Sequence, residues 1–89
     1  MNLHQAENTV IAAVQYLSAN EGYFANFLGY TGSTPDQLNE AIHTINFQIS
    51  VLDFICLDEP LLLSFCLHAQ IDPTIPYNAF QFLSHQSYN

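Results

Sequence analysis

Apolar and polar positions along this chain recur with the period of an α-helix. Over residues 4–19, Ala6, Val10, Ala13, Val14 and Leu17 fall on one stripe, and Ile11 and Tyr16 widen it. Asn2 stands where an N-cap would start this helix. Asn20, Glu21 and Gly22 then interrupt the pattern. Asn20 can cap a second helix, with Glu21 in the first turn, where the helix dipole favours an anion. Tyr23, Phe24, Phe27, Leu28 and Tyr30 make that helix aromatic, and Gly32 is its left-handed stop. Thr34 reads as the N-cap of a third helix. Pro35 takes the first helical position and Gln37 completes a capping box. Leu38, Ala41 and Ile42 are its apolar positions, and it frays or bends around residues 44–46.

The most apolar stretch runs over residues 47–73. A fourth helix reaches to about Leu57, with Phe47, Val51, Phe54 and Ile55 on its inner face and Leu52 beside them. Asp58 caps a fifth helix, and Pro60 lies in its first turn, where a missing N–H does little harm. Residues 61–67 are apolar nearly all round, which predicts a central helix. Asp72 and Pro73 repeat the cap-then-proline device and open a sixth helix, with Ala79, Phe80, Phe82 and Leu83 as its apolar positions. The polar tail over 84–89 is expected to be loose. Period-2 alternation is confined to residues 45–51, and no Asn-Gly or Asp-Gly hairpin turn occurs. The expectation is an all-α single domain of five or six short helices in a compact bundle.

Shifting the chain by 38 residues lays the Leu17–Phe27 segment over residues 55–65 and Pro35 over Pro73. The shared pattern is an apolar helix, an Asn/Asp-Glu cap, a second apolar helix with a Phe seven residues after the cap, and a proline turn. This predicts two helix-turn-helix hairpin units, about 4–43 and 44–84, facing each other as an internal repeat, followed by a tail at 85–89.

Charge narrows the function classes. Only 9% of the 89 residues are charged, against about 25% in a typical globular domain. All eight are acidic, and there is no Lys or Arg. Nucleic-acid binding draws its affinity from cations that release counterions, so it is excluded. Attraction to anionic membranes is excluded on the same ground. The carboxylates are too scattered to mimic a nucleic acid but suit a basic partner. No apolar run is long enough for a membrane span of about 20 residues. The N-terminus lacks the basic region of a secretory signal, so a cytoplasmic protein is expected. Cys56 and Cys66 fall on adjacent antiparallel helices with an axial offset of roughly 9 Å, beyond disulfide reach. Free buried thiols in a reducing compartment are expected.

The side chains with chemical capacity do not assemble into a catalytic set. Glu40 and His43 have the spacing of two metal ligands on one helix face, and His4 and Glu7 the mirrored spacing. A di-iron bundle needs two such helices plus two further inward carboxylates. Both pairs read as solvated surface pairs, and no metal or cofactor is expected. His68 and Asp72 stand four apart at the end of the fifth helix, with His68 favouring the helix C-terminus. Cys66 has no fixed positive charge to activate its thiol. Thr34, Asp58 and Asp72 read as helix caps rather than catalytic acids. Asp53 has no cationic partner anywhere in the chain. Seven Phe and five Tyr fill a core, with a remainder exposed for pairing. Tyr23, Tyr30 and Tyr77 are the candidate rim of such an interaction surface.

The central stretch resembles a family of small helical bacterial proteins of unknown function, found mainly in alphaproteobacteria. The resemblance rests on Val51-Leu52-Asp53-Phe54, then Asp58-Glu59, then Leu61-Leu62-Leu63 and Phe65. Ala12-Ala13, Tyr16-Leu17, Phe27-Leu28, Thr31-Gly32 and Pro73 are similar too, so it covers roughly residues 6–75. It implies an all-helical domain and brings no activity, cofactor or catalytic residue. The family's members carry Arg and Lys, and their absence here is a departure. Taken together, the sequence points to a non-enzymatic module that binds a protein partner or forms a homo-oligomer. The alternative is a small-molecule pocket between the two hairpins, using Cys66, His68 or Tyr side chains.

Overall fold

Asn2 opens the first helix with a reciprocal pair of bonds. Its side chain accepts from the Gln5 N–H at 2.8 Å, and its own N–H donates to Gln5 Oε1 at 3.0 Å. From there the computed structural model describes residues 1–87. Six α-helices follow in order: α1 (Leu3–Ser18), α2 (Glu21–Thr31), α3 (Leu38–Ala41), α4 (Ile45–Cys56), α5 (Glu59–Ala69) and α6 (Thr74–Ser87). A single 3-10 turn, Pro35–Gln37, precedes α3. No strand occurs among the described residues, and the all-α expectation holds.

Helix starts follow local chemistry. Asp58 accepts from the Leu61 N–H at 3.2 Å, the N-cap bond its position predicts. The Asp72 carboxylate accepts from the Thr74 N–H and the Thr74 hydroxyl, at 2.9 and 2.8 Å, just ahead of α6. Those bonds hold the Asp72 carboxyl below its ordinary range. Thr34 donates its N–H to Gln37 Oε1 at 3.0 Å, but the helix it opens is short. Thr44 is the reason. Its N–H and hydroxyl both donate to the Ala41 carbonyl, and its hydroxyl accepts from the Phe47 N–H at 3.4 Å. One residue therefore closes α3 and opens α4, where the sequence predicted only fraying. Asn20 departs from expectation in another way. It occupies the N-cap of α2 without a capping bond, and its side chain donates back to the Tyr16 carbonyl of α1 at 2.7 Å.

The core sits where α1, α4 and α6 meet. α6 makes its widest contacts with α4 and then with α1, and α1 packs on α4. Ala6, Val10, Ala13 and Leu17 of α1 meet Val51, Leu52 and Ile55 of α4 and Ala79 and Leu83 of α6, all fully buried. Phe27 of α2 and Leu61 and Phe65 of α5 close the two flanks. The Cα radius of gyration is 11.9 Å, against about 12 Å for a compact chain of this length. Gln48 is buried in this core and donates to the Ile42 carbonyl at 2.8 Å.

Two expectations are corrected. α6 continues helically through Ser87, so residues 85–87 are ordered helix; residues 88–89 lie outside the described residues. α5 is not central. Leu61, Phe65 and Cys66 are buried, but Leu63 is 48% and Leu67 82% exposed, and Leu57 just before the helix is 74% exposed. α5 touches α4 and α1 on one side only, so an all-round apolar helix leaves one face uncovered.

The 38-residue offset reappears as geometry in the two hairpins α1–α2 and α4–α5. α2 and α5 are both 11 residues long, Glu21–Thr31 and Glu59–Ala69. Their N-caps share one conformation, φ −124° and ψ 96° at Asn20 against φ −117° and ψ 98° at Asp58. Both helices end on a left-handed residue, Gly32 at φ 72° and Gln70 at φ 57°. The third members are unequal: α3 is one turn at the edge, and α6 is a long helix through the centre.

Candidate functional site

The hairpins meet through two clusters of rings. In one, Tyr16 of α1 lies 5.7 Å from Phe65 and 5.1 Å from His68 of α5, tilted by 53° and 47°. In the other, Phe54 of α4 lies 5.4 Å from both Phe27 and Tyr30 of α2, at 66° and 47°. Each ring of the first cluster stands 38 residues from its counterpart in the second. Tilted and edge contacts at these distances place ring edges against ring faces, each worth about 0.5–1.5 kcal/mol beyond burial.

Polar anchors distinguish the clusters. The Tyr16 hydroxyl shares a hydrogen bond with the Ser64 hydroxyl. The Tyr30 hydroxyl donates to the Asp53 carboxylate. Asp53, which has no cation to pair with, is thus held by a phenol from the opposite hairpin. The bond stabilises the protonated phenol, and the nearby carboxylate disfavours the phenolate, so the Tyr30 pKa rises above its ordinary value.

Beside the first cluster lies an open groove of about 560 Å³ between α1 and α5. Ala12, Gln15, Tyr16, Ala19 and Asn20 form one wall, and Phe65, His68 and Ala69 the other. This brings His68 and Tyr16 of the expected inter-hairpin pocket together. Cys66 is not in the lining; it is buried behind, and burial pushes its thiol up in pKa. Half-buried Cys56 is pushed up for the same first reason, and both cysteines are free. Neither is an activated nucleophile.

The predicted tyrosine rim is dispersed. Tyr23 is half-buried against the core, Tyr30 is 49% exposed and tied to Asp53, and Tyr77 is 55% exposed on α6 and accepts from Gln81 Nε2 at 3.1 Å. Thr34, Asp58 and Asp72 stand at helix starts, as described. Among the described residues no three His, Cys, Asp or Glu side chains group closely enough to hold a metal ion. Nor is any helix of the described residues long and apolar enough to cross a membrane.

A feature that sequence reasoning missed is the outer face of α5. Glu59, Leu63 and Leu67 stand four apart, share one face and are all exposed, with Leu57 beside them at the helix start. Their counterparts in the first hairpin are Glu21, Ala25, Gly29 and Ala19, also exposed. A helix in that position therefore folds with small residues there, and packing does not call for leucine. The signal was present in the unbroken apolar run over 61–67, which was read as burial on all sides.

A family model described as "Protein of unknown function (DUF3572)" matches residues 3–86 of the chain. That agrees with the resemblance drawn from the central motif. No curated protein and no solved structure shows a significant match.

Proposed function

The chain belongs to that family of unknown function, and we propose that it is a non-enzymatic module that binds a protein through the outer face of α5. One observation carries the reading: Leu57, Leu63 and Leu67 are the most exposed cluster of large apolar side chains, at positions where α2 carries Ala19, Ala25 and Gly29. Covering a leucine stabilises an assembly by about 1.5–3 kcal/mol per fully buried side chain. Leucines that the fold does not need, spaced on one helix face, are suited to an interface. The thiols raised in pKa and the absence of a grouped set of acids and bases among the described residues fit a binding role better than catalysis.

The test compares the parent with Leu63→Ser/Leu67→Ser. Sedimentation equilibrium reads self-association, and affinity capture from the native cell reads heterologous partners. The expected result is an association that the double variant loses while keeping its helical circular dichroism. A parent that is monomeric at high concentration and captures nothing in a leucine-dependent manner would sink the proposal.

A second reading is supported by the groove beside Tyr16. It would accept a small molecule with an aromatic or apolar body against Phe65 and Tyr16, and polar groups toward Gln15, Asn20 and His68. A fragment screen followed by NMR is the check, with shifts converging on Tyr16 and His68 expected. Shifts scattered over the surface would remove this reading.

A further inference from the structure

Resting on the α5 reading above, we infer that the partner of this face is a basic amphipathic helix, and not a second copy of the chain. The argument is charge. The chain holds eight carboxylates and no Lys or Arg, so it has no fixed side-chain cation with which to pair them. Asp53 illustrates the consequence, bonded to a phenol rather than to a cation. The exposed stripe itself begins with Glu59, one turn before Leu63, and Asp58 and Leu57 stand at the same end. A second copy would bring eight more carboxylates and again no Lys or Arg, so association would be opposed by like charge. A helix with apolar residues at i, i+3, i+4 and i+7 would cover Leu63 and Leu67. Lys or Arg flanking that apolar face would meet Glu59 and the surrounding acidic surface, setting register and speeding encounter.

The probe is a synthetic helical peptide of leucine and lysine in heptad spacing, titrated into the full chain and followed by fluorescence anisotropy. A leucine–glutamate peptide of identical apolar pattern and a scrambled leucine–lysine peptide serve as controls. The leucine–lysine peptide is expected to bind, and to bind about tenfold or more weakly in 0.5 M salt than in 0.05 M, because exposed charges are then screened. Leu63→Ala/Leu67→Ala is expected to lose at least about tenfold in affinity with its helical spectrum unchanged, since alanine is a strong helix former. Glu59→Lys supplies an independent arm: it should weaken the lysine peptide and improve the glutamate peptide.

Equal binding of the scrambled peptide would overturn the inference, because charge alone would then suffice. So would preference for the glutamate peptide, indifference to both variants, or a leucine-dependent dimer that excludes the lysine peptide. A glutamate or neutral peptide that binds in a leucine-dependent way would overturn the basic partner and leave the interface reading standing. The wider reading falls only if no leucine-dependent association of any kind is found.

Discussion

Helices α2 and α5 hold matching places in the two hairpins and present opposite surfaces. They have the same length, N-caps of the same conformation and left-handed ends, and each buries one phenylalanine, Phe27 or Phe65, against a ring of the opposite hairpin. Outward, α2 shows Ala25 and Gly29 where α5 shows Leu63 and Leu67. The inner positions agree because both must fill the same kind of space. The outer positions are free of that demand, so their difference points to a task outside the fold. This separates residues that the bundle needs from residues that something else uses.

The largest expected effect tests whether the inner positions are equivalent. Phe27→Ala and Phe65→Ala should each cost about 3–5 kcal/mol, the range for a fully buried phenylalanine, and should agree within about 1 kcal/mol. Urea denaturation measures both; a wide gap would show that one flank carries far more of the stability. The caps differ in chemistry, so they sharpen the contrast. Asp58→Ala should lose about 1 kcal/mol, because the Leu61 N–H loses its acceptor. Its counterpart Asn20 makes no such bond, so Asn20→Ala should leave the α2 N-terminus unchanged in amide exchange at Tyr23.

The helix ends should respond with opposite signs. Gly32→Ala places a side chain at φ 72° and should destabilise by about 1 kcal/mol. Space is not the issue, since an added Cβ would meet no atom within 4 Å. Gln70→Gly relieves a non-glycine residue at φ 57° and should stabilise by about 0.5 kcal/mol, net of the greater freedom of an unfolded glycine. Thermal melts of the pair decide. The smallest effect concerns the polar anchors. The Tyr30 pKa is raised in the fold, so the stability it contributes is present below the ordinary phenol pKa and is lost as pH rises through the raised value. Spectrophotometric titration should show one late tyrosine, abolished by Tyr30→Phe or Asp53→Asn, with little change in stability at neutral pH.

Local chemistry was legible in the chain. Asn2, Asp58 and Asp72 marked helix starts, Gly32 marked a stop, and the six elements followed from them. These bonds span two to four residues, so sequence alone brings the partners together. Thr44 was overlooked because its two roles, ending α3 and starting α4, cancel in a periodicity reading. The Tyr30–Asp53 bond, the two ring clusters and the groove beside Tyr16 were not legible. Each joins residues from different hairpins, and only the packing of α1 on α4 sets their distance.

The sequence by itself determined where helices begin and end, which of their faces are apolar, and that the chain has no fixed side-chain cation. Tertiary structure alone decided which apolar faces are covered. Burial depends on neighbours supplied by distant parts of the chain, and α5 has neighbours on one side only. Leu61 and Leu63 are alike in sequence; the first is sealed in the core and the second faces solvent.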